Sequence, residues 1–363
     1  MIIGHRSGEP QVLAENRPSR HTLPVSRRCV IGVDLGGTNV RAAAVYENGA
    51  LAGQNCGNPS RAQDGTPAIL DALAATIREA ISGADDVPEA IGIAIPGHID
   101  DPNGRVVWAP NFGETTDGVF RHWEDVAIRA PLQEQFSIPI VLGNDANLAA
   151  LGEYRFGCGK NQARCLVLLT LGTGIGGGVV MAPGSVQGDA RGPLLLVGGN
   201  QGGAELGHTV ILAGGLDCNA GSYGAIEAYC RRDAIVARAH HKLRRGRPSR
   251  IVNLAGGSLG DVTPLVLSEA AAVGDEVAIE VFQEVGHYLG IGIGNFINIF
   301  APDIVAVGGQ IGKAGELILE SARQTARDTA IPSLFRDCTI RSAQRIDDAG
   351  VLGGAAWALE ATR

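Results

Sequence analysis

A repeated strand–glycine turn–strand pattern constrains the fold of this 363-residue chain more than any other feature. In the first copy, an apolar run at residues 30–34 leads into Gly36 and Gly37, and a second apolar run follows at residues 40–46. The pattern recurs at residues 165–181, so the second half of the chain repeats the opening of the first. Each copy predicts a β-hairpin with polar groups at its tip.

The tip of the first hairpin has the composition of a phosphate site. Glycines let a backbone approach phosphate oxygens closely, a hydroxyl can donate to those oxygens, and a carboxylate can hold hydrated Mg²⁺. The residues concerned are Asp34, Gly36, Gly37, Thr38, Asn39 and Arg41. A plain hairpin turn is the alternative explanation for this segment taken alone.

The second tip contains Gly172, Thr173 and Gly174, which with Gly177 also satisfy the pattern GxGxxG. A dinucleotide fingerprint requires a helix directly after the glycines. The run at residues 178–181 predicts a strand instead, so this match does not indicate a dinucleotide fold. The Gly-Lys pairs of the chain also lack the earlier glycine of a Walker P-loop. We therefore expect the paired hairpins to hold phosphate.

A carboxylate and two amides follow another predicted strand, at residues 138–142. Asn144, Asp145 and Asn147 come at the carboxyl end of that strand, where α/β sheets bind ligands. Phosphoryl transfer to a hydroxyl needs a carboxylate that orients the hydroxyl and accepts its proton, which makes Asp145 the candidate general base. The alternative role for this segment is an N-cap of a helix at residues 147–154.

Three further polar residues suit the recognition of vicinal hydroxyls. Glu205 and His208 lie three positions apart beside glycines and can accept and donate hydrogen bonds. Glu227 falls in the first turn of a predicted helix, where a favourable interaction with the helix dipole is the alternative role. The basic run at residues 240–247 is interpreted as a solvated helix end, because the whole chain is acidic.

The composition argues against several classes of partner. A formal net charge of −8 and a pI near 5.5 disfavour a nucleic-acid partner held by phosphate neutralisation. The most apolar late stretch, residues 289–307, is interrupted before the ~20 residues that a membrane span needs. Seven scattered cysteines without a CxxC pair are typical of reduced thiols. We therefore expect a cytoplasmic protein without nucleic-acid or membrane partners.

The remaining patterns predict alternating strands and helices, as in α/β layers. The predicted elements are a helix with Thr66 as N-cap and Pro67 at its first position, strands at 91–95 and 304–307, a short helix between 118 and 130, and a last helix from 350 to 361.

These segments together resemble the ROK family of bacterial sugar kinases and sugar-responsive repressors. The resemblance rests on the DxGGTxxR turn from Asp34 to Arg41, Pro96-Gly97, residues 144–147, the LGTGIGGG turn and the segment 205–208, in that order. It implies an actin-like (ribonuclease H-like) α/β fold of two lobes with ATP and sugar in the cleft between them. We expect residues 1–27 to form a flexible tail, 28–148 with the C-terminal helix 350–363 a small lobe, and 149–349 a large lobe.

The resemblance also implies roles for individual residues. Asp145 is the expected catalytic base, and the expected hexose contacts are Gly97, Asn111, Asn144, Asp145, Glu205, His208 and Glu227. Thr38 and Thr173 match phosphate contacts, and Gly308 and Gly309 match the adenosine side of the nucleotide. The implied cofactors are ATP and Mg²⁺, and the implied assembly is a homodimer or homotetramer.

Members of this family commonly carry a zinc motif, CxCGxxGCxE, completed by a histidine from the segment at 205–208. This chain has Cys218 at the first position but Ala220 and Ala225 at the two other cysteine positions. A tetrahedral structural zinc would lack donors, so we expect no zinc here.

The expected function is ATP-dependent phosphorylation of a hexose, with glucose favoured because Glu205, His208 and Glu227 match the pattern of the family's glucokinases. Another hexose (fructose, mannose or an N-acetyl amino sugar) is one alternative. Inorganic polyphosphate is an alternative donor, since the sequence shows no clear adenine pocket. A non-catalytic sugar sensor is the alternative of another class. The repressor class is disfavoured because few residues precede the first hairpin.

Overall fold

A computed structural model describes residues 28–187, 192–218 and 220–362 of the chain. The predicted tail at residues 1–27 lies outside the described residues, as does Arg363 at the end of the predicted last helix.

The elements that precede the second glycine hairpin form two sheets and three helices. In chain order they are β1 (Cys29–Leu35), β2 (Asn39–Tyr46), β3 (Cys56–Pro59), α1 (Thr66–Ser82), β4 (Ile91–Ile95), β5 (His98–Asp100), β6 (Arg105–Thr116), β7 (Val119–Ala127), α2 (Arg129–Gln133), β8 (Ile140–Asn144) and α3 (Asp145–Phe156).

The elements from the second hairpin onward add one further sheet and a larger set of helices. They are β9 (Cys165–Leu171), β10 (Ile175–Met181), β11 (Leu194–Leu195), α4 (Ile226–Cys230), α5 (Arg232–Arg244), α6 (Ile251–Leu254), α7 (Pro264–Ala272), α8 (Glu276–Phe300), β12 (Ile304–Gly308), α9 (Gly309–Gly312), α10 (Glu316–Thr329), α11 (Pro332–Arg336), β13 (Thr339–Ser342) and α12 (Ala349–Ala361).

The two five-stranded sheets have the same topology. The N-terminal sheet has the order β3-β2-β1-β4-β8, and the C-terminal sheet has the order β11-β10-β9-β12-β13. In each sheet an antiparallel hairpin is extended by two parallel strands. Both glycine-tipped hairpins predicted from the sequence are therefore confirmed, and Asp34 and Thr170 occupy the penultimate positions of their strands.

The prediction of a short helix between residues 118 and 130 is wrong. Residues Val119–Ala127 form strand β7, which pairs with β6 in a three-stranded sheet of order β5-β6-β7. The turn between the two strands consists of Asp117 and Gly118, whose φ angles are 54° and 75°. Such a two-residue turn with positive φ at both positions is a strong local hairpin signal, and it decides the structure here.

Smaller corrections concern the ends of elements. Helix α1 has Gly65 rather than Thr66 as its N-cap, and the Thr66 hydroxyl instead accepts a hydrogen bond from the Trp123 indole at 2.9 Å. Strand β8 continues to Asn144, and helix α3 begins at Asp145.

Helix α12 returns from the end of the chain to pack on the N-terminal sheet and on helix α3. Glycines make this approach possible: a Cβ at Gly32 would lie 2.0 Å from the Val351 carbonyl oxygen, and one at Gly92 would lie 1.9 Å from that of Gly354. The boundary between lobes at residues 148 and 149 stays a prediction.

Two general findings complete the fold. None of the helices in the described part of the chain is long and apolar enough to cross a membrane. The seven cysteines are all free thiols.

Candidate active site

The junction of β8 and α3 fixes the candidate base. The Asn144 side chain accepts a hydrogen bond from the Asn147 amide at 3.0 Å and donates one to the Gly97 carbonyl oxygen at 3.0 Å. Asn144 is therefore the N-cap of α3, a role for which its residue type is suited. Asp145 follows the cap, and its carboxylate accepts only a short-range bond from the Ala146 amide at 2.8 Å among the hydrogen bonds described.

A cavity of about 830 Å³ opens in front of Asp145. It takes residues from both halves of the chain, so it lies in the cleft expected from the sequence. Every predicted hexose contact lines it, and the set is Gly97, Asn111, Asn144, Asp145, Glu205, His208 and Glu227. Gly172, Gly174 and Gly309 from the predicted phosphate and nucleotide set line it as well.

The electrostatic environment prepares Asp145 to accept a proton. Burial, together with the negative charges of Asp34 and Glu205, raises the pKa of its carboxyl to about 6, against the opposing hydrogen bond from the Ala146 amide. A pKa just below neutrality suits a general base, because the group is ionised at neutral pH and still basic. Perturbed carboxyls in a cleft are also a recurrent mark of functional sites.

Glu227 is held against the second hairpin. Its Oε2 accepts a hydrogen bond from the Ile175 amide at 2.8 Å, and a Cβ at Gly174 would lie 2.6 Å from the same oxygen. A glycine at this position is therefore needed for the carboxylate to reach the hairpin. Across the cavity, His208 Nε2 lies 3.8 Å from Glu205 Oε2.

The predicted phosphate residues of the first hairpin are absent from the lining of this cavity. The tip of this hairpin closes by a hydrogen bond from the Gly36 amide to the Asn39 carbonyl oxygen at 2.9 Å, as the second tip closes between Gly172 and Gly174 at 2.9 Å. Arg41 pairs with Asp34 at 2.7 Å. Gly37 and Thr38 complete the exposed tip.

A second cavity of about 520 Å³ adjoins the first, because Gly172 and Gln310 line both. Thr173, from the predicted phosphate set, lines this smaller cavity, whose other walls come from α5, through Arg232, and from α7, α8 and α9. Thr263, Pro264, Leu265, Ser268, Phe282 and Lys313 supply those walls with a mixture of apolar and polar groups. Its size and mixed lining suit a nucleoside. Gly308 lines neither cavity.

Sequence reasoning missed several lining residues. His98 and Trp108 form one wall of the larger cavity, with ring centroids 5.5 Å apart. Gly97 beside them has φ 111°, and a Cβ there would lie 2.2 Å from the Trp108 carbonyl oxygen. Pro96-Gly97 and Asn111 were the available signals, since both flank this wall in the chain.

Two duplicated sheets that enclose a cleft define an actin-like α/β protein of two lobes, and solved structures confirm this class. A crystal structure of a ROK family glucokinase from Streptomyces griseus in complex with glucose and AMPPNP is 32% identical, with a TM-score of 0.74 over 92% of this chain and 99% of that one. A ROK hexokinase from Thermus thermophilus is 29% identical, with a TM-score of 0.71 over 92% of this chain and 99% of that one.

The chain belongs to the ROK family, whose model matches residues 30–361. A glucokinase from Thermotoga maritima is 34% identical over 326 residues, which cover 90% of this chain and 96% of the relative.

Proposed function

We propose that this protein transfers the γ-phosphoryl group of ATP to a hydroxyl of a hexose, with glucose the favoured acceptor. The observation that carries the proposal is the position of Asp145, a carboxyl of raised pKa, in a cavity lined by groups suited to binding hydroxyls. The adjoining smaller cavity has the size of a nucleoside. The glucokinase relatives, one of them solved with glucose and an ATP analogue, support both substrates.

In this mechanism the hexose lies in the larger cavity with its reacting hydroxyl against Asp145. Glu205, His208 and Glu227 bind the other hydroxyls and orient the ring, and Asn144 fixes the segment that carries the base. Asp145 accepts the hydroxyl proton as the oxygen attacks the γ-phosphorus in line. Thr38 and Thr173 hold the phosphates from the two hairpin tips, and the nucleoside occupies the smaller cavity.

Magnesium fits the first hairpin. The negative charge of Asp34 contributes to the raised pKa of Asp145, so the Asp34 carboxylate lies near the candidate base. Hard divalent cations prefer carboxylate oxygens and nucleotide phosphates. When bound, Mg²⁺ would neutralise charge on the transferring phosphoryl group, and Asp34 is the residue proposed to hold it.

A panel of donors and acceptors tests the proposal. Purified protein should give its highest kcat/KM with ATP and glucose, when ATP and polyphosphate are each paired with glucose, fructose, mannose and N-acetylglucosamine. Turnover with a different hexose would show that glucose is not the preferred acceptor, and the reaction would still be phosphoryl transfer to a hexose. Tight glucose binding by calorimetry, without turnover on any pair, would favour the sugar-sensor alternative.

The pH dependence of kcat/KM for the hexose should follow the ionisation of Asp145 in the free protein. Because the carboxylate is the active form, kcat/KM is expected to rise with pH through about 6 and to fall about tenfold per unit well below that value. Initial rates at subsaturating hexose from pH 4.5 to 8.5 measure this profile. A flat profile across pH 5–7 would contradict the role of Asp145.

Filling the smaller cavity should weaken ATP binding selectively. Ser268 lines this cavity from α7, and Ser268→Trp is expected to raise KM for ATP about tenfold or more, equivalent to about 1.4 kcal/mol. KM for the hexose should stay unchanged, and Ser268→Ala is the matched control. If Ser268→Trp instead leaves KM for ATP unchanged, the nucleoside does not bind there and the polyphosphate alternative gains support.

A further inference from the structure

Two of the four donors expected of the family's zinc motif are present here. His208 and the Cys218 thiol, which is 1% exposed, lie within hydrogen-bonding reach of each other. The other two ligand positions carry methyl groups: Ala225 is fully buried and Ala220 lines the larger cavity. No group of three or more His, Cys, Asp or Glu side chains positioned to hold a metal occurs among the described residues. Two donors do not make a tetrahedral zinc site.

The described residues of the segment that zinc would brace are nevertheless joined by hydrogen bonds. We call residues 209–218 and 220–224 the Cys218 loop; it connects His208 to the helix that carries Glu227. Its backbone is closed by hydrogen bonds from the Ile211 amide to Gly224 at 2.8 Å and from the Gly224 amide to Leu216 at 2.7 Å. The Cys218 amide donates to Ser222 at 3.1 Å, and the two side chains lie 3.0 Å apart.

Arg231 connects this loop to the cavity. Its Nη1 donates to the Cys218 carbonyl oxygen at 3.3 Å and lies 4.0 Å from Glu227 Oε1. The other oxygen of Glu227 is already held by the Ile175 amide at the second hairpin. The Arg231 and Glu227 side chains are 19% and 14% exposed, so water screens this pair less than a surface pair.

We propose that Arg231 is a positioning residue that does the work of the missing zinc: it fixes the Cys218 loop and the Glu227 carboxylate relative to each other, in a kinase that needs no structural metal. The guanidinium suits this task because its donors point in a rigid fork and can serve a carbonyl and a carboxylate at once. His208 contacts the loop through Cys218 without a metal ion, and Arg231 links Glu227 to the same loop.

The expected effect of losing Arg231 on catalysis rests on the proposed function. Loss of this residue should weaken binding of the hexose and leave binding of ATP unchanged. Arg231→Met removes the charge and keeps the apolar stem. It is expected to raise KM for glucose roughly ten- to a hundredfold, the range typical when a supporting residue behind a site is lost, with KM for ATP unchanged. Arg231→Lys should recover part of the loss. Arg244→Met, at the exposed end of helix α5, whose N-cap is Arg231, is the matched control and should behave as the native protein.

A second readout does not depend on turnover. Amide hydrogen exchange in Arg231→Met should accelerate across the Cys218 loop and stay unchanged in α12, whereas Arg244→Met should change neither. Unchanged exchange in the loop together with an unchanged KM for glucose would overturn the proposal. Accelerated exchange in a protein that phosphorylates no hexose would support the brace and reject the proposed function, so the two failures are distinguishable.

Metal analysis completes the test. The native protein should contain no stoichiometric zinc and keep full activity after chelation with EDTA followed by addition of Mg²⁺. The triple variant Arg231→Met, Ala220→Cys, Ala225→Cys restores the three cysteines of the motif beside His208, and it is expected to bind one zinc and regain a low KM for glucose. One zinc per native chain, lost together with activity on chelation, would overturn the proposal.

Discussion

Asp145→Asn is expected to lower kcat for hexose phosphorylation by about 10³-fold, within the range that loss of general-base catalysis produces. The amide has nearly the shape of the carboxylate but cannot accept the hydroxyl proton, so KM for the hexose should change much less than kcat. Stopped or coupled assays of ADP release, at saturating ATP and hexose, measure the two constants separately.

The melting temperature of Asp145→Asn distinguishes loss of the base from loss of the fold. Folding raises the pKa of Asp145 from its ordinary value of 3.8 to about 6. A raised pKa means that the carboxyl stabilises the fold only while protonated, and that this contribution is lost as pH rises through about 6. At pH 8 the ionised Asp145 therefore costs stability, and Asp145→Asn should melt at the same or a higher temperature than the native protein.

Asp101 provides a matched control for this variant. Burial raises the pKa of its carboxyl, which accepts hydrogen bonds from the Leu142 amide at 2.8 Å and from the Trp357 indole at 3.2 Å, and pairs with Arg129. Asp101→Asn should lower the melting temperature and leave kcat unchanged. If Asp101→Asn reduced kcat as strongly as Asp145→Asn, loss of a buried carboxylate in general would explain both results.

Gly92→Val is expected to destabilise the fold by about 3 kcal/mol or more, because inserted atoms would meet backbone that has no room to move. A Cβ at this position in β4 would lie 1.9 Å from the Gly354 carbonyl oxygen and 3.1 Å from the Ala358 amide, both in helix α12. A flexible side chain could rotate away, whereas here the helix itself must shift. Urea denaturation should show a lower midpoint.

The control for Gly92→Val is Gly184→Val. A Cβ at Gly184 would meet nothing within 4 Å, so this variant should keep the native midpoint. A native midpoint for Gly92→Val would show that α12 does not pack on the N-terminal sheet as described.

The sequence predicted those elements whose structure depends on residues close together in the chain. The two glycine hairpins follow from apolar runs and turn residues within about 15 positions, and both are confirmed. The hairpin of β6 and β7 was missed although Asp117-Gly118 is a turn signal, because β7 is largely exposed and lacks an apolar face. In the same way, sequence alone could not choose between Asn144 and Asp145 as the cap of α3, since both residue types cap helices well.

The parts of the site that escaped prediction come from distant segments. The smaller cavity combines the second hairpin with α5, α7, α8 and α9, and of these helices only α9, which begins at Gly309, carries a residue predicted to contact the nucleotide. The contact of Arg231 with Cys218 and Glu227 depends on how a loop folds back on a helix, which residue spacing does not determine. The predicted hexose contacts all line one cavity, because several ordered motifs constrain one another, and their role in binding a hexose stays a prediction.

The most direct test of the account is the stoichiometry of products formed by the purified full-length chain from ATP and glucose. The account predicts one ADP per hexose phosphate, no ADP without the sugar, and a loss of about 10³-fold in Asp145→Asn. Hydrolysis of ATP at the same rate without a sugar, or absence of turnover with every hexose tested, would contradict it.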